Sequence, residues 1–435
     1  MNTTSKSYGK MTSMNIDEII KINKDSKREY EDIKAKNLKL NMARGKPCAE
    51  QLDLALGVLE SLHARTEFDG SDGDDSRNYG VWDGLEEMRN IFSGMTGIPA
   101  DSLILGNNSS LAMMFDSISK GYTHGYSGCE AWCKQSNVKF LCPSPGYDRH
   151  FAITEYFGIE MIPIPMLKTG PDMDIIERLV ANDTSIKGCW CVPKYSNPTG
   201  ITYSDEVVER FAKLKPAAKD FIIMWDNAYC VHDLSDTPDT LLNLFDECVK
   251  YGTEDNVLYF ASTSKISFPG AGVAALGASK NNYSDLQKML QTRSIGPDKL
   301  NQLRHIRFLH DVDGVKNLMQ GHRGILEPKF DIVKDYLNNE LSELGIANWS
   351  NPQGGYFINL DVMNGCAKRV VELCKNAGVI LTDAGATFPY SLDPNDSNIR
   401  IAPTFPVLDE LSQAMELLCV CVKLAASDKL MSDRV

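Results

Sequence analysis

The sequence has no Cys-x-x-Cys spacing, no clustered histidines, no excess of positive charge and no long apolar run, and each absence removes a class of function. Its twelve cysteines fall mostly in apolar contexts. Cys189 and Cys191 flank Trp190 on one face of an apolar run, Cys419 and Cys421 lie in a leucine- and valine-rich tail, and Cys129 and Cys133 have no paired Cys or His near them. Such spacing suits neither a disulfide framework nor a zinc site, so no metal and a reducing, intracellular compartment are expected. A formal net charge of −13 argues against nucleic acid, whose phosphates require a basic surface, and against an anionic membrane. No stretch reaches the roughly 18 apolar residues of a membrane span. Residues 1–30 contain no apolar signal-peptide region, so a cytoplasmic protein without a membrane partner is expected.

What is present is ordinary in bulk and distinctive in order. At 435 residues, 43% hydrophobic and 24% charged, the chain can bury a large core and suits two or three domains. A polar helix is expected over 15–37, an irregular turn at NMARGKPC (41–48), a Gly/Asp-rich loop over 66–80 and a helix over 84–97. From about residue 100, short apolar runs alternate with helical stretches. The runs 102–105, 138–142, 159–164, 188–192, 221–225, 256–261 and 274–278 read as buried strands, with helices near 111–120, 172–181, 204–214 and 284–294. Near-continuous apolar strands separated by helices predict a mainly parallel sheet covered on both faces, with function beyond the strands' carboxyl ends. After a helical stretch over about 300–345, strands at 356–360, 379–383 and 397–402 with helices at 367–377 and 407–425 predict a smaller α+β unit.

The residues that follow the apolar runs carry the chemistry. CPSPGYDRH (142–150), SNPTG (196–200), WDNAY (225–229) and STSK (262–265) place an aromatic with a His, an Asn, an Asp and a Lys at four strand ends. A pyridine-aldehyde cofactor needs such a set. A lysine bonds its aldehyde and moves protons, a carboxylate keeps the ring nitrogen protonated, an aromatic face holds the ring, and hydroxyls with backbone amides bind its phosphate.

The order of these motifs resembles the fold-type I, class I aminotransferases, which use pyridoxal 5′-phosphate (PLP), over about residues 38–425. Within that group, ARGKP, GNNSS, STSKISFPGAGVA and IGPDKLNQLRH resemble the atypical bacterial aspartate aminotransferases of subgroup Ic. The resemblance implies an α/β, PLP-dependent transferase-like fold, with a mainly parallel central sheet in a large domain plus a smaller α+β domain. Residues 1–75 would form an N-terminal arm and part of the small domain, 76–305 the large PLP-binding domain and 306–435 the small C-terminal domain. It also implies the roles. Lys265 would hold the cofactor and shuttle the substrate proton, Asp226 would pair with the ring nitrogen, and Tyr229 and Asn197 would bond the phenolic oxygen. Tyr147 would stack on the ring, and His150 would orient the aspartate. Asn107, Asn108, Ser109 and Ser110 would bind the phosphate with Ser262 and Ser264, helped by Tyr79 of a neighbouring subunit in a homodimer with shared sites. Arg400 would grip the substrate α-carboxylate against Gly45 and Asn197.

One departure stands out. Relatives place a phosphate-binding arginine eight residues after the lysine, where this chain has Val273. A dicarboxylate substrate also needs a second cation, for which Arg44, Arg293, Lys299 and Arg304 are candidates. The expected reaction is ping-pong exchange of an amino group between an amino acid, aspartate or glutamate, and a 2-oxo acid such as oxaloacetate or 2-oxoglutarate. A β-lyase or decarboxylase on the same cofactor is the alternative, followed by an aminotransferase-like ligand-sensing regulator.

Overall fold

A computed structural model describes residues 9–63, 67–71 and 73–434, so the first eight residues of the expected arm and parts of the Gly/Asp-rich loop lie outside the described residues. An eight-stranded sheet runs, in spatial order, Leu103–Leu105, Ala274–Ala278, Val257–Ser262, Ile222–Asp226, Ile186–Cys191, Lys139–Ser144, Glu160–Leu167 and Gly170–Pro171. Ala274–Ala278 is antiparallel to both of its neighbours, and the short edge strand Gly170–Pro171 is antiparallel to its own. The other pairs are parallel. Every residue of Ile186–Cys191, Ile222–Asp226 and Val257–Ser262 is buried, as a sheet covered on both faces demands.

Capping chemistry sets several helix starts. Asn15 and Glu18 form a reciprocal capping box on Ile16–Lys34. Ser109 caps Ser110–His124 by accepting from the Ala112 amide. The expected helical stretch over 300–345 is two helices, Lys299–Leu309 and Val312–Leu341. His310 adopts φ 64° between them, and the Asp311 carboxylate accepts from the Asp313 and Gly314 amides to start the second.

A second sheet, antiparallel, joins Ala347–Trp349, Ile358–Val362 and Asn398–Ile401. The expected strand over 379–383 is shorter. Only Val379–Ile380 pairs, in parallel with Leu40–Asn41, and beyond it the Thr382 hydroxyl donates to the Ala43 carbonyl at 2.6 Å. One apolar cluster unites Ile19, Tyr30 and Ile33 of the first long helix with Leu326–Leu341 and with Leu411–Leu430 of the last helix, Leu408–Ser432. Burying each such side chain contributes about 1.5–3 kcal/mol, so the chain's two ends are held together by the hydrophobic effect. Among the described residues no helix is long and apolar enough to cross a membrane.

Candidate active site

Four neighbouring parallel strands end on one edge of the sheet, and the chemistry follows them. Tyr147 comes after Lys139–Ser144, Asn197 after Ile186–Cys191, Asp226 ends its own strand, and Lys265 comes after Val257–Ser262. Adjacent parallel strands put their carboxyl ends side by side, so residues up to 118 positions apart meet around a cavity of about 640 Å³. Lys265, Asp226, Tyr229, Asn108, Ser109, Ser110, Tyr147, Asn197, Ser262, Ser264, Gly45 and Arg400 all line it.

Asp226 is buried, with its Oδ2 3.0 Å from His150 Nε2 and its Oδ1 without a partner. His150 is held in turn. It stacks on Trp190 at 4.3 Å, and its carbonyl accepts from Thr154, whose hydroxyl takes the Trp190 indole N–H at 2.8 Å. Partly buried Lys265 lies with its Nζ 4.9 Å from the Tyr229 ring centre. Desolvation lowers the lysine's pKa against the opposing pull of Asp226, which favours the neutral, nucleophilic amine. Burial and Asp226 push the Tyr147 hydroxyl up to about 12, so it stays a neutral donor.

Arg400 is buried in the strand Asn398–Ile401. Its Nη1 donates to Asp148 Oδ1 at 2.9 Å and Asn197 Oδ1 at 3.2 Å, and its Nη2 to Thr382 Oγ1 at 3.3 Å. Its Nε is buried without a partner. The guanidinium also lies 5.0 Å from the Phe357 ring centre. At the other end, Ser262 Oγ donates to Ser264 Oγ, which donates to the Asn108 carbonyl, gathering hydroxyls beside the amino end of Ser110–His124. A helix amino terminus with free amides attracts an anion.

Three of the expected site residues do not line this cavity, and of them only Asn107 was expected on this wall. His150 touches Asp226, the contact expected of it. Asn107 spends its side-chain oxygen on the Asp298 amide and its carbonyl on the Ala274 amide. Tyr79 is 79% exposed in the single chain. Val273 is buried in the apolar core, with its amide on Thr263 Oγ1, so it offers no charge to an anion.

Of the candidate second cations, only Arg44 lines the cavity. Arg293 pairs with Asp116 at 2.7 Å, Lys299 donates to the Tyr79 carbonyl, and Arg304 is not among the lining residues. Sequence reasoning missed Asp148, Arg149, Phe357 and Thr382, all of which line the cavity. The first two sit inside the GYDRH run, where their position beside the aromatic was the available signal. Phe357 and Thr382 had none, because only the tertiary fold carries them there.

The aspartate amino-transferase family model matches residues 14–434. A protein of Mycolicibacterium smegmatis is 50% identical over 429 residues, spanning 97% of this chain and 99% of its own. An aspartate aminotransferase of Corynebacterium glutamicum is 45% identical over 405 residues, 93% of each chain. The crystal structure of an aspartate transaminase from the same organism superposes with a TM-score of 0.94 at 43% identity, covering 98% of this chain and all of that one.

Proposed function

The chain belongs to the aspartate amino-transferase family, and from that we propose that it exchanges an amino group between aspartate or glutamate and a 2-oxo acid, using PLP held at Lys265. The observation that carries the reading is the partly buried Lys265 amine sharing a cavity with an Asp226 carboxylate whose Oδ1 has no protein partner. An unpaired buried carboxylate oxygen is costly, and a protonated ring nitrogen satisfies it with a charge-assisted bond. When bound, the cofactor supplies the electron sink that makes the substrate Cα–H acidic.

The chain's own residues do the rest. Lys265 Nζ would be the base that takes the substrate Cα proton and would deliver it to the carbon of the cofactor that the lysine had bonded. Asn197 spends Oδ1 on Arg400, which leaves its amide N–H₂, together with the Tyr229 hydroxyl, to donate to the ring's phenolic oxygen. Tyr147 supports the ring face. The hydroxyls of Ser109, Ser110, Ser262 and Ser264, with the helix amides and Asn108, hold the phosphate without the usual arginine. Arg400 receives the α-carboxylate on Nε and Nη2, the edge that Asp148 leaves open. Arg44 and Arg149 are the remaining cations on the wall, available to a distal carboxylate. The working unit is a homodimer in which exposed Tyr79 completes the neighbouring subunit's phosphate site.

Visible absorption of the purified protein with PLP, and its loss in Lys265→Ala, test the cofactor. Formation of oxaloacetate and glutamate from aspartate and 2-oxoglutarate in equal amounts tests the reaction. A wild-type protein that neither binds PLP covalently nor makes oxaloacetate would sink the reading.

A further inference from the structure

Behind the cavity lies a closed set of buried hydrogen bonds that the reaction chemistry above does not use. Gln51 is fully buried on the short helix Ala49–Asp53. Its Oε1 accepts from the Cys48 amide at 3.2 Å. Its Nε2 has two protons and two acceptors, His322 Nδ1 at 2.8 Å and the Tyr356 hydroxyl at 2.9 Å. With Nδ1 accepting, His322 carries its proton on Nε2 and donates it to the Ile266 carbonyl at 2.9 Å. Burial lowers the His322 pKa, in keeping with that neutral tautomer. The Tyr356 hydroxyl, having accepted from Gln51, donates to the Lys265 carbonyl at 3.5 Å. The carbonyls of Lys265 and of the next residue, Ile266, are therefore held by side chains ordered through one amide.

The same segments reach the substrate. Gly45, three residues before Cys48, lies against the Phe357 ring, which follows Tyr356 and sits beside Arg400. The stretch Gly45–Gln51 and the pair Tyr356–Phe357 thus touch the α-carboxylate grip on one side and the lysine backbone on the other.

We propose that Gln51 is a positioning residue that, through Tyr356 and His322, fixes the Lys265 amine relative to the Gly45–Phe357–Arg400 substrate contact. This rests on Lys265 being the PLP lysine. Each partner is a member of one chain of bonds, so removing the hub releases both ends together.

The test compares Gln51→Leu, Tyr356→Phe and the double variant with wild-type holoenzyme. Each single variant should lower kcat by about tenfold with the aspartate KM changed by less than about threefold, since displacing a reacting group by 1 Å costs up to about 100-fold in rate. A larger share of the bound cofactor should also absorb as free aldehyde rather than in its Lys265-bonded form, which is read without turnover. The double variant should be no worse than Gln51→Leu, because the two act in series. Unchanged kcat and spectrum in Tyr356→Phe, which keeps the ring and therefore the packing, would overturn the proposal, as would additive losses in the double variant. Should Gln51→Leu not fold, His322→Gln replaces it in the same cycle with the same expectations. A wild-type protein without covalently bound cofactor would instead refute the function proposed above, so the two failures are distinguishable.

Discussion

Replacing Gly45 with alanine adds one methyl group, and the structure says where it goes. A Cβ there would lie 2.5 Å from Phe357 Cζ, 2.7 Å from Cε1 and 3.3 Å from Cε2. Carbon atoms rest about 3.5–4.0 Å apart, so the ring or the 43–47 loop must yield by roughly 1 Å. Neither motion is free. Phe357 is buried against the Arg400 guanidinium, and the loop is pinned where Thr382 and Thr404 bond the carbonyls of Ala43 and Lys46. Overpacking of this size costs about 1–3 kcal/mol. Expressed as misplacement of the carboxylate grip, it should lower kcat/KM for aspartate about 10- to 100-fold. Gly45 is not in the left-handed backbone region, so the cause is collision and not strain. Steady-state kinetics on a double-mutant cycle separate the two. On a Phe357→Leu background, which removes the ring, Gly45→Ala should cost little further activity. Wild-type kcat/KM in Gly45→Ala, or an undiminished loss on the leucine background, would refute the steric reasoning.

Asp226→Asn should lower kcat roughly 10- to 150-fold, the worth of one charge-assisted bond of about 1.5–3 kcal/mol, with the Lys265-bound chromophore retained; near-normal kcat would remove Asp226 from the ring nitrogen. Arg149→Gln should raise the KM for aspartate by up to about fivefold, the worth of one exposed ion pair, and leave turnover of alanine unchanged; an equal loss with alanine would show that Arg149 does not read the distal carboxylate. His232, His305 and His322 are buried with pKa values lowered by desolvation, so the unfolded chain takes up protons that the folded chain refuses. Stability should therefore fall as pH drops through the ordinary histidine range near 6.5, by up to about 1.4 kcal/mol per pH unit per group. Urea midpoints at pH 7.5 and 5.5 check this, and a pH-independent midpoint would contradict it.

Strands covered on both faces must be apolar throughout, which is why the antiparallel strand over 274–278 and the parallel run over 221–225 could be read within a residue of their observed ends. The chemistry at their carboxyl ends was equally legible, because each side chain follows its strand by a few residues and local sequence suffices to place it there. The break at His310 was not legible. It depends on one residue adopting a left-handed conformation and on Asp311 capping the next helix, and neither interrupts the hydrophobic pattern. The wall residues Phe357 and Thr382 were missed for a related reason. Their spacing from other cavity residues reflects how the smaller sheet packs against the larger one.

The sequence by itself determined the class of chemistry, since strand periodicity and the residues just beyond each strand are short-range properties. Only the tertiary structure decided which side chains meet. It removed Arg293, Lys299 and Arg304 from the cavity wall, took Asn107 off it and left Asp226 Oδ1 unpaired. It also joined Gln51, His322 and Tyr356 behind the lysine. These contacts span up to 305 positions, and no local pattern encodes a hydrogen bond between partners so far apart in the chain.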